Sequence, residues 1–173
     1  LSEGYQRLLT FEVAGGGFSW FGRAPANQVL TAYGLVEFSL LSKLRQVDPK
    51  LIERTRRWLL ARQQKDGSWL PDEHNLNDGL TNRKAGNRVR VTAYIAASLA
   101  DSGYRGKALD RALSYLKAHM DKEKDAYSLA LLAHAWLARP RSPHLGALLG
   151  RLWAQRSERR GRTVFAGPKA TLT

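Results

Sequence analysis

The chain has 173 residues, 43% hydrophobic and 25% charged, enough for one domain with its own core, and no apolar run long enough to cross a bilayer. It holds no cysteine, which excludes disulfides, thiolate nucleophiles and cysteine-based zinc sites within it. A net charge of +13 points towards anionic partners, but the basic residues are spread along polar helix faces. The densest run (Arg151, Arg156, Arg159, Arg160, Arg162) forms no aromatic-interleaved patch and matches no DNA- or RNA-binding motif, so a solvated basic face is expected and no nucleic-acid partner.

In chain order, Gly4–Phe11 (GYQRLLTF) reads as a helix, and Gly15–Trp20 (GGGFSW) as a tight turn; no strand precedes the glycines and no Gly-Lys-Ser follows, so they are a poor phosphate loop. Residues 28–44 are apolar nearly all round a helix. Asp48-Pro49 then starts a one-sided helix over 49–64, with its stripe at Leu51, Ile52, Thr55, Trp58 and Leu59. Lys65–Leu70 (KDGSWL) echoes the first turn, and the polar segment 71–87 follows it. The periodicity gives a helix over 89–101, apolar on most sides and stopped at Asp101-Ser102-Gly103, and a striped helix over 105–119. An apolar helix over 124–138 and a striped one over 142–156 complete the series.

Two features organise these elements. The long apolar stretches at 28–41 and 90–100 both contain Thr-Ala-Tyr after a Gly-rich turn, which marks a helical repeat. Helices apolar all round alternate with striped ones, and a helix apolar on every side must be buried on every side. The expected fold is therefore all-α: an α/α toroid, with an inner ring wrapped by an outer ring. A superhelical solenoid of helix pairs stays open. Tyr33, Tyr94 and Tyr127 are expected to be inner-ring packing residues. Gly4–Phe11 reads as an outer helix without its inner partner. Gly161–Phe165 (GRTVF) reads as the lead-in to a further inner helix. Since Leu1 is not an initiator Met and no targeting segment is visible, residues 1–173 are expected to be a partial domain, about half a ring cut from a longer chain. Apolar cut edges should favour self-association. The loops before the inner helices fall at one end, and the long one at 71–87 is the expected working face.

Few residues suggest chemistry. His74, His119, His134 and His144 make no His-x-x-x-His pair, so no metal site is expected, and His134 is expected to be a hydrogen-bonded core residue. A toroid glycosidase would need two facing carboxyls; Glu12, Asp66, Asp72, Glu73 and Asp78 are the candidates, against a solvated acidic loop. A terpene cyclase relative would carry an Asp-x-Asp-Asp acid motif, and none occurs.

Taken together, GYQRLLTFEVAGGGFSWFG (4–22), NQVLTAYGLVEF (27–38), LIERTRRWLLARQQKDGSW (51–69) and VTAYIAASLADSG (91–103) resemble the thioester domain of the alpha-2-macroglobulin and complement family, most closely its bacterial members, from about Gly4 to Phe165. RWLLARQQKDGSW (57–69) also resembles the Gln-Trp motif of triterpene cyclases, where the role is structural. The first resemblance implies a domain of a broad-spectrum protease inhibitor. An internal thioester between Cys and Gln lies upstream of the Gly-Tyr-Gln-Arg segment, and it acylates an attacking protease after bait cleavage. The chain itself, without that Cys, is expected to be neither enzyme nor inhibitor and to need no cofactor. The family carries His or Asn beside the thioester on the loop corresponding to 71–87, which singles out His74, Asn75 and Asn77. A His there could act as nucleophile or base; the plain alternative is an exposed polar loop. The implied partners are target proteases, met through the parent protein, and other domains of the same chain. The implied location is periplasmic, envelope-bound or extracellular.

Overall fold

The computed structural model describes residues 2–44, 46–72, 87–159 and 161–165. The elements run α1 (Ser2–Leu9), β1 (Glu12–Val13), β2 (Gly17–Phe18), α2 (Gln28–Leu41), α3 (Pro49–Leu60), α4 (Asn87–Asp101), α5 (Lys107–His119), α6 (Ala126–Trp136), α7 (Pro143–Trp153), β3 (Arg156–Arg159) and β4 (Arg162–Phe165), with a single 3-10 turn at Met120–Lys122. The fold is all-α, and among the described residues its strands form two small antiparallel hairpins, β1–β2 and β3–β4.

Local chemistry sets the helix starts. Asn27, Asp48, Asp125 and Ser142 each accept a first-turn N–H through the side chain, and Pro49 and Pro143 occupy the first helical turn, where no N–H is missed. α4 stops at Gly103 (φ +83), whose left-handed backbone lets the N–H groups of Gly103 and Tyr104 return to Ala100 and Leu99. The helices expected over 28–44, 49–64 and 142–156 end three or four residues early. At the ends of α3 and α7 the backbone has other partners. Gln64 N–H donates to Ser68 O, and Arg156–Arg159 pairs with Arg162–Phe165 around Gly161 (φ +71). GRTVF is thus the second strand of a hairpin.

The helices form two rows. α4 packs between α2 and α6, while α3 lies against α2, α5 against α4 and α7 against α6. The main core runs along these contacts through Leu35, Leu59, Trp69, Ile95, Leu99, Leu109, Leu116, Leu129, Leu132 and Leu148. A smaller cluster of Phe18, Phe38, Val47 and Leu51 receives Tyr5 and Leu9 of α1. Of the three helices read as apolar all round, only α4 is enclosed. α2 exposes Tyr33 and Leu40, and α6 exposes Tyr127. The reason lies in packing: among the described residues α4 has a helix of its own row on both sides, and α2 and α6 have one each.

Candidate functional site

Each turn before α2 and α4 is built the same way. Gly16 and Gly67 have φ of +98 and +90, a region open to glycine, and each lies against the backbone of a neighbouring helix. A Cβ on Gly16 would meet the Arg54 carbonyl oxygen of α3 at 2.7 Å, and one on Gly67 would clash with the Arg111 carbonyl of α5. Two residues on, Phe18 N–H donates to Thr31 Oγ1 (2.8 Å), and Trp69 N–H donates to Thr92 Oγ1 (3.0 Å). Both threonines are fully buried, so each hydroxyl satisfies an amide that water cannot reach. The structural register therefore matches Gly16 with Gly67 and Phe18 with Trp69. Aligning the two strings on tryptophan would put Trp20 in that place, but Trp20 is 39% exposed.

Past these turns, polar side chains gather at the N-terminal ends of α2, α4 and α6. Asp72 accepts from Gln28 N–H (2.6 Å) and Nε2 (2.9 Å), and Gln28 Nε2 also donates to Leu70 O. Burial pushes the Asp72 carboxyl above the usual range; the Gln28 bonds and Arg62 oppose this and are outweighed. Asp66 accepts from the hydroxyl and N–H of Ser68 and from Arg88 of α4, whose Nη2 is 2.7 Å away. The Ser68 hydroxyl bond, against slight burial, holds Asp66 below its ordinary value. Asp125 caps α6 and meets Arg90 at 2.8 Å; burial alone would raise it, but the Ser128 and Arg90 bonds prevail and lower it. Both flanks of segment 73–86 are thus tied to this end, Asp72 to α2 and Arg88 to the Asp66-Gly67-Ser68 turn.

Tyr33, Tyr94 and Tyr127, one from each helix of the α2–α4–α6 row, stand near one another. The half-buried Tyr94 hydroxyl is pushed up to about 12, first by burial and then by Tyr33, Tyr127 and Glu37. Tyr33 and Tyr127 are 53% and 46% exposed, so only Tyr94 fits the expected packing role.

His74, Asn75 and Asn77 lie outside the described residues, as do Glu73 and Asp78. The other carboxylates of the glycosidase reading are engaged separately. Glu12 makes a two-toothed pair with Arg54 (2.5 and 2.7 Å), Asp66 holds its own turn, and Asp72 holds Gln28. His134 is not a core residue: its side chain is 48% exposed, with Nε2 2.9 Å from Asp101. The helix carrying it leaves that face uncovered. Gln63, in the stretch similar to the Gln-Trp motif, donates to the carbonyls of Gly67 and Ala108, tying the turn to α5. Sequence reasoning missed Gln28, Arg88 and Arg90 as members of this end. The available signal, for Arg88 and Arg90, was that both fall at the start of a helix that follows a turn rich in acidic side chains; Gln28 had no such signal.

Residues 1–170 match the family described as the A-macroglobulin TED domain. The chain belongs to that family. Among curated proteins, this thioester-domain chain is 28% identical to Ovostatin of Gallus gallus over 143 residues, covering 79% of the chain and 10% of that protein. It is 25% identical to Complement C3 of Lethenteron camtschaticum over 146 residues, 78% of the chain and 9% of that protein. The chain therefore spans about a tenth of the length of these relatives. In this chain the repeated turns, the threonine bonds and the carboxylate ties are built without any cysteine.

Proposed function

We propose that this chain is part of an α/α toroid that shelters and presents the internal thioester of a longer protease-trapping protein, and that it performs no catalysis alone. The observation that carries the reading is the family match across residues 1–170. Two further observations support it. The helices α2, α4 and α6 form one row with α3, α5 and α7 packed against it, as successive inner and outer members of a ring would. Both flanks of 73–86 are pinned, Asp72 to the start of α2 and Arg88 to the turn at Asp66.

In this reading, 71–87 is the functional-face loop, and His74, Asn75 and Asn77 stand beside a thioester formed by a Cys and a Gln upstream of Leu1. Bait cleavage by a target protease moves the domain, water loses its exclusion from the acyl donor, and an amine of the protease attacks the carbonyl carbon. The C–S bond breaks, an amide forms, and the cysteine leaves as a thiol. The apolar groove beside α2, about 270 Å³ and lined by Leu8, Phe11, Phe18, Trp20, Leu30 and Tyr33, is covered by neighbouring parts of the parent. The 173-residue piece alone self-associates through it. The parent works in the periplasm, on the cell envelope or outside the cell.

The test is to treat the full-length parent with methylamine and titrate the thiol released. One thiol per chain, with loss of covalent protease capture, is the expected result. A folded parent that releases no thiol overturns the thioester reading.

A further inference from the structure

We propose that the groove between the end of α6 and the start of α7 binds a phosphate-type oxyanion. The groove holds about 760 Å³, and its lining includes Lys117, Trp136, Arg139, Arg141, Ser142 and His144, with no carboxylate in the lining. Lys117 and Arg141 take part in no ion pair among the described residues. Arg139 pairs with Asp110 at 2.6 Å, but both side chains are well exposed, at 40% and 57%, so water screens that pair and leaves the groove cationic.

A second, independent feature is the wall itself. Trp136 is only 7% exposed, its ring lies 4.8 Å from that of His144, and its indole N–H has no acceptor among the described residues. The start of α7 contributes as well. Ser142 caps His144 N–H, and the positive end of the 11-residue helix lies at the groove. Cationic side chains lining one groove that carries no carboxylate fit a group with three or more acceptor oxygens and more than one negative charge. A free phosphate compound and a phospholipid headgroup share that chemistry.

The experiment uses the intact protein. Pyrophosphate is titrated calorimetrically at low ionic strength, and co-sedimentation is measured with phosphatidylglycerol vesicles against phosphatidylcholine vesicles. The double variant Lys117→Ala/Arg141→Ala is compared with a control in the basic hairpin, Arg156→Ala/Arg162→Ala. The expected result is a tenfold or greater loss of pyrophosphate affinity in the groove variant alone, with rescue by Lys117→Arg/Arg141→Lys. Retention of anionic vesicles that falls in the same variant assigns the oxyanion to a headgroup; vesicle binding unchanged assigns it to a soluble phosphate. Equal losses in the groove and hairpin variants, or no saturable binding in either assay, overturns the site. All four side chains are on the surface, and matching melting temperatures show that the variants fold.

Discussion

The turns at Gly16–Phe18 and Gly67–Trp69 share a backbone device but differ in what lies over it. In each, a left-handed glycine touches a neighbouring helix and a buried threonine hydroxyl receives the following amide. Around the second, consolidation is complete. Trp69 is fully buried in the main core, its indole N–H donates to Leu59 O, and Gln63 bridges Gly67 O to Ala108 O. Around the first, Phe18 belongs to a small cluster and borders the apolar groove beside α2. The device fixes the path of the chain, and the packing above it decides how much stability that path carries.

The largest expected effect follows from that contrast. Trp69→Ala removes a fully buried indole and its bond to Leu59 O, at a cost of about 3–5 kcal/mol in chemical denaturation. Phe18→Ala should cost clearly less, because its surroundings already border open space. Equal losses would erase the distinction between the turns. The glycines come next. Gly67→Ala and Gly16→Ala each force an alanine into a left-handed backbone against a carbonyl, about 1–3 kcal/mol with the clash adding to it. Here the two turns should behave alike, since the geometry is shared. The threonines sharpen the same point. Thr31→Val and Thr92→Val keep the shape and leave one buried N–H without an acceptor, about 1–3 kcal/mol each. A Thr31→Val variant with unchanged stability would show that water reaches Phe18 N–H through the groove.

Much of this arrangement was legible in the sequence, for definite reasons. Caps and prolines are local, so the starts of α3 and α7 follow from Asp48-Pro49 and Ser142-Pro143 alone. The repeat was legible because threonine recurs at the position that must accept an amide. Helix ends were not legible. Apolar periodicity describes which face could be buried, whereas Gln64 and Arg156 leave the helix because the turn at Ser68 and the strand at Phe165 offer other partners. Burial on all sides was wrongly inferred for α2 and α6, because it depends on neighbours rather than on a helix's own composition. At the candidate site, Asp72 is reached from Gln28 across 44 positions of chain, and no local pattern announces a bond of that span. His134 misled in the opposite direction, since an apolar helix need not be covered on the face that carries its histidine.

The smallest predicted effect concerns the sign of pH dependence at the two carboxylates that tie helix starts. Burial raises Asp72 in the folded chain, so its contribution is fully present below the ordinary aspartate value of 3.8 and is lost as pH rises through the raised value. Asp125 is lowered, so its contribution is present above 3.8 and is lost as pH falls through the depressed value. On acidification the native chain therefore gains from Asp72 and loses through Asp125. Asp72→Asn should steepen the fall in stability between about pH 7 and pH 3, and Asp125→Asn should flatten it, whatever each does to stability at neutral pH. Urea denaturation across that range reads the slopes directly. If both substitutions flatten the acid limb, Asp72 is held as a charged tie like Asp125, and the two ends of the helix row are fastened by the same electrostatics. Opposite slopes mean that burial of Asp72 outweighs its bonds from Gln28, and that Asp72 ties the start of α2 more tightly in acid than at neutral pH.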